Sequence, residues 1–443
     1  MQHSTTTNMS RFTKSLPIEI VEKIIDNAPD GQTFIACSLV CKEWLFRCRF
    51  YLFQRISLRA GDAGDVLPFL SGPTQYKAGA FTHSLIVTES NPELLSNQKN
   101  SRETGRKLVS ALPNVREIQM FGVTEWALER YLDGFILRDL RNRENKGNEA
   151  RDPVLLEDLT LSDVKVEDWK AVQERLTRCS DSLKCLRISS LHFIAGSADP
   201  SIREKQATER LQTTLDSAIT DEPHKSDRQP VDDFVELERL TPSQASFTNM
   251  ERLALEGEHG GSRFANSLLQ EIAPTPTSPL PKLTVLELFF PLPSHTQVLF
   301  CAAGETINEL TIHCNTFVTA VDASNQSRVK MDFRHLKALT RFSVVGIRVF
   351  PSATASQVFG GFLSGLKSYM YSKLKILHLS YKAGLGQSPH TIDQWNELDE
   401  VLSSPHLTTS LQSLELNGIM SIASQMSRYL PNARERRIIR LIS

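Results

Sequence analysis

The sequence predicts an α/β protein in which a short N-terminal helical unit precedes a long stack of parallel strands that alternate with helices. A six-residue apolar pattern, Leu-x-x-Leu-x-Leu or a near variant, recurs nine times beyond residue 114. Stretches with helical spacing of apolar residues, such as 125–140, 168–178 and 393–402, lie between the copies. Residues 15–53 lack the pattern and show helical periodicity instead.

Composition limits the class of protein. A chain of 443 residues exceeds one ordinary compact domain, so either several domains or one elongated repeat structure is expected. Charged residues at 23% and hydrophobic ones at 40% are typical of a folded chain. The formal net charge of -1 gives no electrostatic reason to expect nucleic acid or an anionic membrane as a partner.

The N-terminal residues and the cysteines indicate the cellular compartment of the protein. Residues 1–14 are polar and contain no apolar stretch long enough for a signal peptide or a membrane span, so a flexible tail is expected. The seven cysteines are odd in number and scattered, which disfavours a disulfide framework. We therefore expect a cytoplasmic or nuclear protein.

The helical unit begins where Ser15 can cap a helix with Pro17 in its first turn, and residues 29–31 end it. The isoleucines and valine of this helix share one wide face. The stretch 34–48 is apolar nearly all the way round its helical wheel. A unit of about 40 residues is too small to bury all of that surface by itself. A partner, or the rest of the chain, must supply the missing cover.

The apolar residues of this unit have the order and spacing of a known motif: Leu16-Pro17, Ile20, Ile24-Ile25, Leu39-Val40-Cys41-Lys42, Trp44 and Leu52-Phe53. In this order and spacing residues 15–53 resemble a three-helix F-box, although Asn27-Ala28-Pro29 stand where that family more often has a leucine. The resemblance implies docking on a Skp-type adaptor, which links to a cullin. The adaptor contacts that it implies are Leu16, Pro17, Ile20, Val40, Cys41 and Trp44. The alternative is that these residues form the core of a helical cap on the following domain.

The repeated pattern begins at Val115, Leu156, Leu183, Met250, Leu283, Ile307, Leu339, Leu374 and Leu411. Each copy predicts a short strand whose fourth and sixth residues point inward, so that stacked strands form one apolar spine. Two earlier strands are predicted at 54–59 and 84–88, and insertions at 141–152, 196–246 and 273–281. The chain end, Ile438 to Ile442, is apolar and predicts either a last strand covered by a neighbour or a truncated chain end.

The pattern resembles a leucine-rich-repeat solenoid over residues 54–443, with strands on a concave side and helices outside. It departs from the family in that its repeats exceed the usual length and that the asparagine after the strand appears only as Asn315. The alternative is a large α/β domain with buried parallel strands. A doubly wound enzyme fold usually carries a glycine-rich strand-to-helix turn, and the sequence contains none.

The sequence also contains none of the common phosphate-binding or nucleophile motifs. There is no phosphate-binding loop with its lysine and no Gly-x-Ser-x-Gly elbow. Cys37, Cys41 and Cys48 lie in an apolar stretch without a nearby histidine, which favours buried thiols over a metal site. We therefore predict no catalytic residue, no cofactor and no metal.

If the solenoid forms, the residues that alternate with the apolar spine face the concave side and are candidates for binding a protein target. The principal candidates are Arg187, Arg252, Glu287, Thr311, His313, Arg341, His378 and Glu415. Further outward members are Glu117, Gln119, Asp158, Thr160, Glu256, Glu309 and Ser343. Their mixed charge favours a protein over RNA.

The sequence therefore predicts a non-catalytic substrate receptor of a Skp-cullin-F-box ubiquitin ligase, which speeds ubiquitin transfer by holding a target nearby. A scaffold that binds the adaptor outside the ligase is the second possibility. An α/β enzyme is the third.

Overall fold

The computed structural model describes residues 17–28, 30–72, 78–89, 101–144, 155–166, 169–189, 192–193, 247–256, 280–289, 296–314, 331–348, 353–382, 392–418 and 428–442. The predicted tail 1–14, Leu16 and the predicted insertion 196–246 lie outside the described residues. So do residues 145–152 and 273–279 of the other two predicted insertions.

Twelve α-helices occur in the described residues. They are α1 Ile18–Asp26, α2 Gly31–Ser38, α3 Lys42–Phe53, α4 Ala63–Leu70, α5 Ser101–Ala111, α6 Glu125–Glu144, α7 Trp169–Cys179, α8 Thr296–Ala303, α9 Ala353–Ser368, α10 Ile392–Leu402, α11 Pro405–Ser410 and α12 Pro431–Glu435. A 3-10 helix spans Ala78–Phe81. The predicted helices 125–140, 168–178 and 393–402 correspond to α6, α7 and α10.

Fourteen strands occur in the same residues. They are β1 Arg55–Arg59, β2 Ser84–Thr88, β3 Glu117–Phe121, β4 Asp158–Ser162, β5 Lys165–Val166, β6 Cys185–Ser189, β7 His192–Phe193, β8 Arg252–Leu255, β9 Val285–Phe289, β10 Glu309–His313, β11 Arg341–Arg348, β12 Ile376–Lys382, β13 Ser413–Asn417 and β14 Ile439–Ile442. Each of the nine pattern copies contributes a strand, and β1 and β2 are the two earlier predicted strands.

Twelve of these strands form one parallel sheet in the order in which they occur along the chain, β1-β2-β3-β4-β6-β8-β9-β10-β11-β12-β13-β14. The short strands β5 and β7 pair with each other in a separate parallel sheet. The predicted α/β class with parallel strands is therefore confirmed. The last strand, β14, pairs with β13 and is the end strand of the sheet, and its Leu441 is 44% exposed.

The register explains why the pattern is so regular. Leu253, Leu286 and Leu310 are direct Cα partners across β8, β9 and β10, so equivalent residues of successive copies form continuous rows. The fourth and sixth residues of all nine copies are buried, as predicted, and so are the first residues. Helix side chains such as Tyr131 and Trp395 complete the same core, which places helices against this apolar face.

One predicted boundary was wrong. The charged segment 141–152 was expected to be a loop, but α6 continues through its first four residues to Glu144. The reason is local: Arg141 to Glu144 contain no glycine or proline, and Gly147 is the first helix breaker of the segment.

The three helices α1, α2 and α3 have a small core of their own. Val21, Ile25 and Cys48 are buried in it, and Phe34, Cys37, Trp44 and Tyr51 pack around them. The predicted helical stretch 34–48 is divided between two helices, because Cys41 is extended where α3 begins. Asp30 caps α2 by accepting a 2.8 Å hydrogen bond from the amide of Thr33. Helix α1 begins at Ile18, so Pro17 precedes its first turn and does not lie in it.

The three-helix unit also contacts the beginning of the sheet. The ring of Phe46 on α3 lies edge-on to Phe81, with centroids 5.2 Å apart, and Phe50 lies 5.9 Å from His83. Both contacts involve the segment that leads into β2.

Candidate functional site

Helix α1 has two apolar ridges, of which the unit covers one. Val21 and Ile25, four residues apart, are 3% and 0% exposed. Ile20 and Ile24, also four residues apart and directly beside them, are 42% and 46% exposed. The apolar face of this helix is therefore wider than the small core beneath it.

The same excess continues on α2, α3 and the turn between them. Ile35 is 47% exposed, Leu39 82%, Val40 44% and Phe46 66%. We call the six exposed side chains of the three-helix unit the N-terminal apolar surface: Ile20, Ile24, Ile35, Leu39, Val40 and Phe46. Single exposed apolar side chains are ordinary, but several on a unit this small mark a contact surface.

The predicted adaptor contacts fall into two groups. Pro17, Ile20 and Val40 are exposed, whereas Cys41 and Trp44 are half-buried. Trp44 packs against the Val21, Ile25 and Cys48 core, so this residue supports the unit itself. Leu16 lies outside the described residues.

Four members of the N-terminal apolar surface were not among the predicted contacts: Ile24, Ile35, Leu39 and Phe46. Ile24 could have been found, since it repeats Ile20 one helical turn later. Leu39 could not, because its exposure depends on where α2 ends and the chain turns.

The thiols of this unit behave as packing groups. Cys48 is buried, and burial, followed by the neighbouring Cys37 and Cys41 thiols, raises its pKa to about 11. A thiol with so high a pKa is protonated at neutral pH and is a poor nucleophile. Among the described residues, no group of three or more His, Cys, Asp or Glu side chains could hold a metal ion.

The second candidate surface is the face of the sheet opposite the buried rows, which we call the polar face. From β1 to β13 its residues are the first, third and fifth of each strand of the twelve-stranded sheet, and in β14 they are Arg440 and Ile442. All eight principal target-binding candidates lie on this face. The structure brings six of them together in two clusters of three.

In the first cluster, Glu287 on β9 lies between an arginine and a histidine. Arg187 Nη2 lies 3.2 Å from its Oε2, and His313 Nε2 lies 3.7 Å from the same oxygen. The His313 ring is stacked on Phe289, with centroids 4.2 Å apart and planes 9° apart. We call Arg187, Glu287 and His313 the β9 cluster.

The second cluster surrounds Glu415 on β13, with the histidine on the neighbouring strand β12 and the arginine one strand further, on β11. Arg341 Nη2 lies 3.5 Å from Glu415 Oε2, and His378 Nδ1 lies 3.4 Å from that oxygen. We call Arg341, His378 and Glu415 the β13 cluster. In both clusters one carboxylate oxygen faces one guanidinium and one imidazole.

The charges of each cluster are layered. The side chains of Glu287 and Glu415 are 16% and 14% exposed, whereas those of Arg187 and Arg341 are 45% and 40% exposed. Proximity to the His313 ring lowers the pKa of Glu287, although burial opposes this, and Arg187 lowers it further. The carboxylates therefore form a recessed anionic layer under exposed cations.

Each cluster histidine has one ring nitrogen without a hydrogen bond among the described residues. His313 Nε2 and His378 Nδ1 are buried atoms that make no hydrogen bond within the described part of the chain. Each is nevertheless within ion-pair distance of a carboxylate. Protonation of either ring would convert a weak contact into a charged pair.

The remaining two principal candidates do not join a cluster. Arg252 on β8 is exposed and makes no ion pair among the described residues, although its charge helps to lower the pKa of Glu287. Thr311 is half-buried and is the Cα partner of Glu287 and Ser343. Both lie on strands within the span of the β9 cluster, which extends from β6 to β10.

The polar face is more acidic at β3 and β4. Glu117 and Asp158 are direct Cα partners on these neighbouring strands. Burial raises the pKa of Asp158, and the negative charges of Glu117 and Glu157 raise it further. Adjacent like charges destabilise a sheet unless a counter-charge is present. Arg55 Nη2 lies 4.0 Å from Glu117 Oε2, and the charges of Lys184 and Arg252 oppose the rise in the pKa of Asp158.

A scan against protein-family models gives no match to this chain, and a search of curated protein sequences gives none either. No helix of the described residues combines the length and apolar character needed to cross a bilayer.

Proposed function

We propose that this chain is the substrate-recognition subunit of a Skp-cullin-F-box ubiquitin ligase. Its three-helix unit, which resembles an F-box, binds a Skp-type adaptor. The following domain, which resembles irregular leucine-rich repeats, binds a protein target with its polar face. The chain itself makes or breaks no covalent bond and brings the target close to the conjugating enzyme.

The observation that carries the proposal is the N-terminal apolar surface. Removing one such aliphatic side chain from water is worth about 1.5–3 kcal/mol when it is fully buried. Leu39, at 82% exposed, has most of that free energy still available. A helical partner with an apolar groove would gain it at little cost, because α1 to α3 are already folded around their own core.

The order of the strands supports the target-binding half of the proposal. A parallel sheet built strand by strand along the chain presents one long surface, and repeat proteins bind partners on such surfaces. The alternation of Arg, Glu and His on this face suits a polar protein surface.

The experiment is capture of a Skp-type adaptor by the full-length chain with substitutions in the turn between α2 and α3. We expect L39D/V40D to reduce adaptor capture by about tenfold or more, since two charges would enter a desolvated interface. M370D is the matched control, because Met370 is 65% exposed on the following domain. It should retain the adaptor.

Two results would refute the proposal: an unmodified chain that does not capture the adaptor, or an L39D/V40D variant that captures it as well as M370D does. Misfolding does not confuse the test, because Leu39 and Val40 are exposed and thermal unfolding of the variant can be compared directly. Cullin capture in the same experiment distinguishes a ligase subunit from an adaptor-bound scaffold.

A further inference from the structure

The β9 and β13 clusters share the same three residue types, and in each the arginine lies two strands from the carboxylate. They differ in the histidine, which lies beyond the carboxylate strand in the β9 cluster and between the other two strands in the β13 cluster. In the β9 cluster the arginine on β6 reaches across β8 to the carboxylate on β9. In the β13 cluster the arginine on β11 reaches across β12 to the carboxylate on β13. Each cluster therefore consists of a recessed carboxylate, an exposed guanidinium that it orients, and an imidazole.

The guanidinium groups keep donors free for a ligand. Arg187 uses Nη2 for its hydrogen bond to Glu287 and makes no other hydrogen bond within the described residues. Arg341 has one ion-pair contact there, also through Nη2. An arginine has five N–H donors, so the exposed edge of each group can bind the two oxygens of a carboxylate or a phosphate.

The clusters do not attract anions strongly while the imidazoles are neutral. Two arginines and two glutamates then give a formal charge of zero. Protonation of His313 and His378 raises this charge by two. Each protonated ring would also share the recessed carboxylate with the arginine, which frees the guanidinium for an external anion.

The charged surroundings of the two rings can be followed strand by strand in the described part of the chain. Around His313 the charged groups are Glu287 on β9, Arg187 on β6 and Glu256 at the end of β8, while β11 contributes Val345. The charge of Arg252 on β8 acts on Glu287 as well. Around His378 they are Glu415 on β13 and Arg341 on β11, which also contributes Ser343. Arg440 on β14 is the Cα partner of Glu415, and Glu309 on β10 is that of Arg341. In both cases a carboxylate oxygen lies within 3.7 Å of a ring nitrogen.

We propose that the β9 and β13 clusters are two anion-binding subsites for one acidic segment of the protein target, and that they bind it more tightly when His313 and His378 are protonated. This inference rests on the proposed function in so far as it takes the polar face as the target-binding surface. The shared chemistry of the ligand is an oxyanion side chain, either a carboxylate or a phosphate.

The geometry also fixes the spacing of the anions. Glu287 and Glu415 lie four strands apart in the sheet, β9 to β13. Strands lie about 4.8 Å apart, so the subsites are about 19 Å apart, a distance that an extended segment covers in about six residues. A target segment that crosses the strands should therefore carry acidic residues about six positions apart.

The test measures binding of synthetic peptides to the 443-residue chain at pH 6.0 and pH 8.0. The first peptide carries two glutamates six positions apart in a Gly/Ser background, the second carries glutamines there, and the third carries the glutamates three positions apart. Glutamate has an ordinary pKa of about 4.3, so the charge of the peptide does not change between these pH values. A phosphoserine version distinguishes phosphorylated from acidic targets, and tighter binding of either supports the proposal.

We expect the first peptide to bind at least about fivefold more tightly at pH 6.0 than at pH 8.0. The glutamine peptide and the peptide with glutamates three positions apart should both bind weakly. R187Q/R341Q should lose binding, whereas R116Q should keep it, because Arg116 is an exposed arginine paired with Glu157 away from both clusters. H313Q/H378Q should keep the affinity of pH 8.0 and lose the pH dependence.

Three results would overturn the proposal: no binding of the doubly acidic peptide at pH 6.0, equal affinity at both pH values, or equal losses in R187Q/R341Q and R116Q. The pH comparison uses the unmodified chain, so it decides the matter even if the histidine variant does not fold. Adaptor capture is measured on the same preparations and should be unchanged in all of them. Loss of peptide binding therefore cannot be mistaken for failure of the proposed adaptor contact.

Discussion

Arg47 on α3 donates two hydrogen bonds, each 2.8 Å long, to the carboxylate of Asp26 on α1, twenty-one residues earlier in the chain. The hydroxyl of Tyr51, one turn further along α3, donates a third at 2.8 Å. These bonds join the first and third helices of the N-terminal unit at its polar edge. The apolar contacts of Val21, Ile25 and Cys48 join them in its centre.

Acid should loosen this connection. The hydrogen bonds from Arg47 and then Tyr51 hold the pKa of Asp26 below its ordinary value of 3.8. A carboxyl group with a lowered folded-state pKa stabilises the fold at pH values above its unfolded pKa, and this contribution disappears as the pH falls through the folded pKa. Hydrogen exchange of the α1 amides, corrected for intrinsic rates, should therefore be constant between pH 7 and pH 5 and increase below 3.8.

The variant D26N should increase hydrogen exchange of the α1 amides already at pH 7, because it removes the charged carboxylate that accepts two hydrogen bonds from Arg47. The matched control is E19Q, since Glu19 is an exposed carboxylate on the same helix. Equal protection of α1 in both variants at pH 7 would show that the Arg47 contact does not hold the helix in place.

Truncation of two aliphatic side chains in the same unit should have very different effects on its stability. Ile25 is 0% exposed and lies in the small core, so I25A should lower the free energy of unfolding of this unit by about 2–4 kcal/mol. Leu39 is 82% exposed, so L39S should change it by less than about 0.5 kcal/mol. Limited proteolysis within residues 17–53 under increasing urea measures both. A destabilised L39S would mean that this side chain contributes to folding and is not held for a partner.

The strand positions could be predicted from the sequence because their cause is local. A parallel strand covered on one face requires apolar residues at alternate positions, and Leu286 and Leu288 satisfy this within five residues. The helices α6, α7 and α10 could be predicted for the same reason, since each has its own apolar residues at helical spacing. The residues that alternate with the buried ones along each strand could therefore be assigned to the polar face from the sequence as well.

The clusters on that face could not be predicted. Arg187 and Glu287 are 100 residues apart in the chain and meet because β6, β8 and β9 are consecutive in the sheet. The residue between them in the register is Ala254, whose small side chain lets the arginine pass over β8. Which strands are neighbours, and in which register, depends on the whole sheet.

Two glycines distinguish close packing from open surface. Gly304 follows α8, and a Cβ there would overlap the backbone carbonyl oxygens of His335 and Phe300. Gly360 lies within α9, and a Cβ there would meet nothing within 4 Å. We expect G304A to lower the free energy of unfolding by about 3 kcal/mol and G360A to raise it by about 0.5–1 kcal/mol. Denaturant unfolding monitored by circular dichroism measures both, and G304A that is as stable as the unmodified chain would contradict the close approach of these segments.

The last strand of the sheet depends on a buried carboxylate. Asp399 on α10 is 3% exposed, and its two oxygens accept hydrogen bonds from the amides of Asn432 and Ala433 at 3.1 and 3.0 Å. These amides are in the first turn of α12, where no helical carbonyl can accept from them. Helix α12 leads directly into β14, so Asp399 connects the end of the chain to the preceding helix.

Replacing this carboxylate should release the C-terminal segment. D399A leaves two amides without an acceptor in a buried site and should lower the free energy of unfolding by about 2–4 kcal/mol. D399N keeps one oxygen and should cost about half as much. E400Q is the matched control, because Glu400 is the exposed neighbour of Asp399 on α10. Hydrogen exchange should increase in β14 and α12 of D399A while β9 to β11 stay protected; an unchanged β14 would mean that the pairing with β13 holds this strand without help from α10.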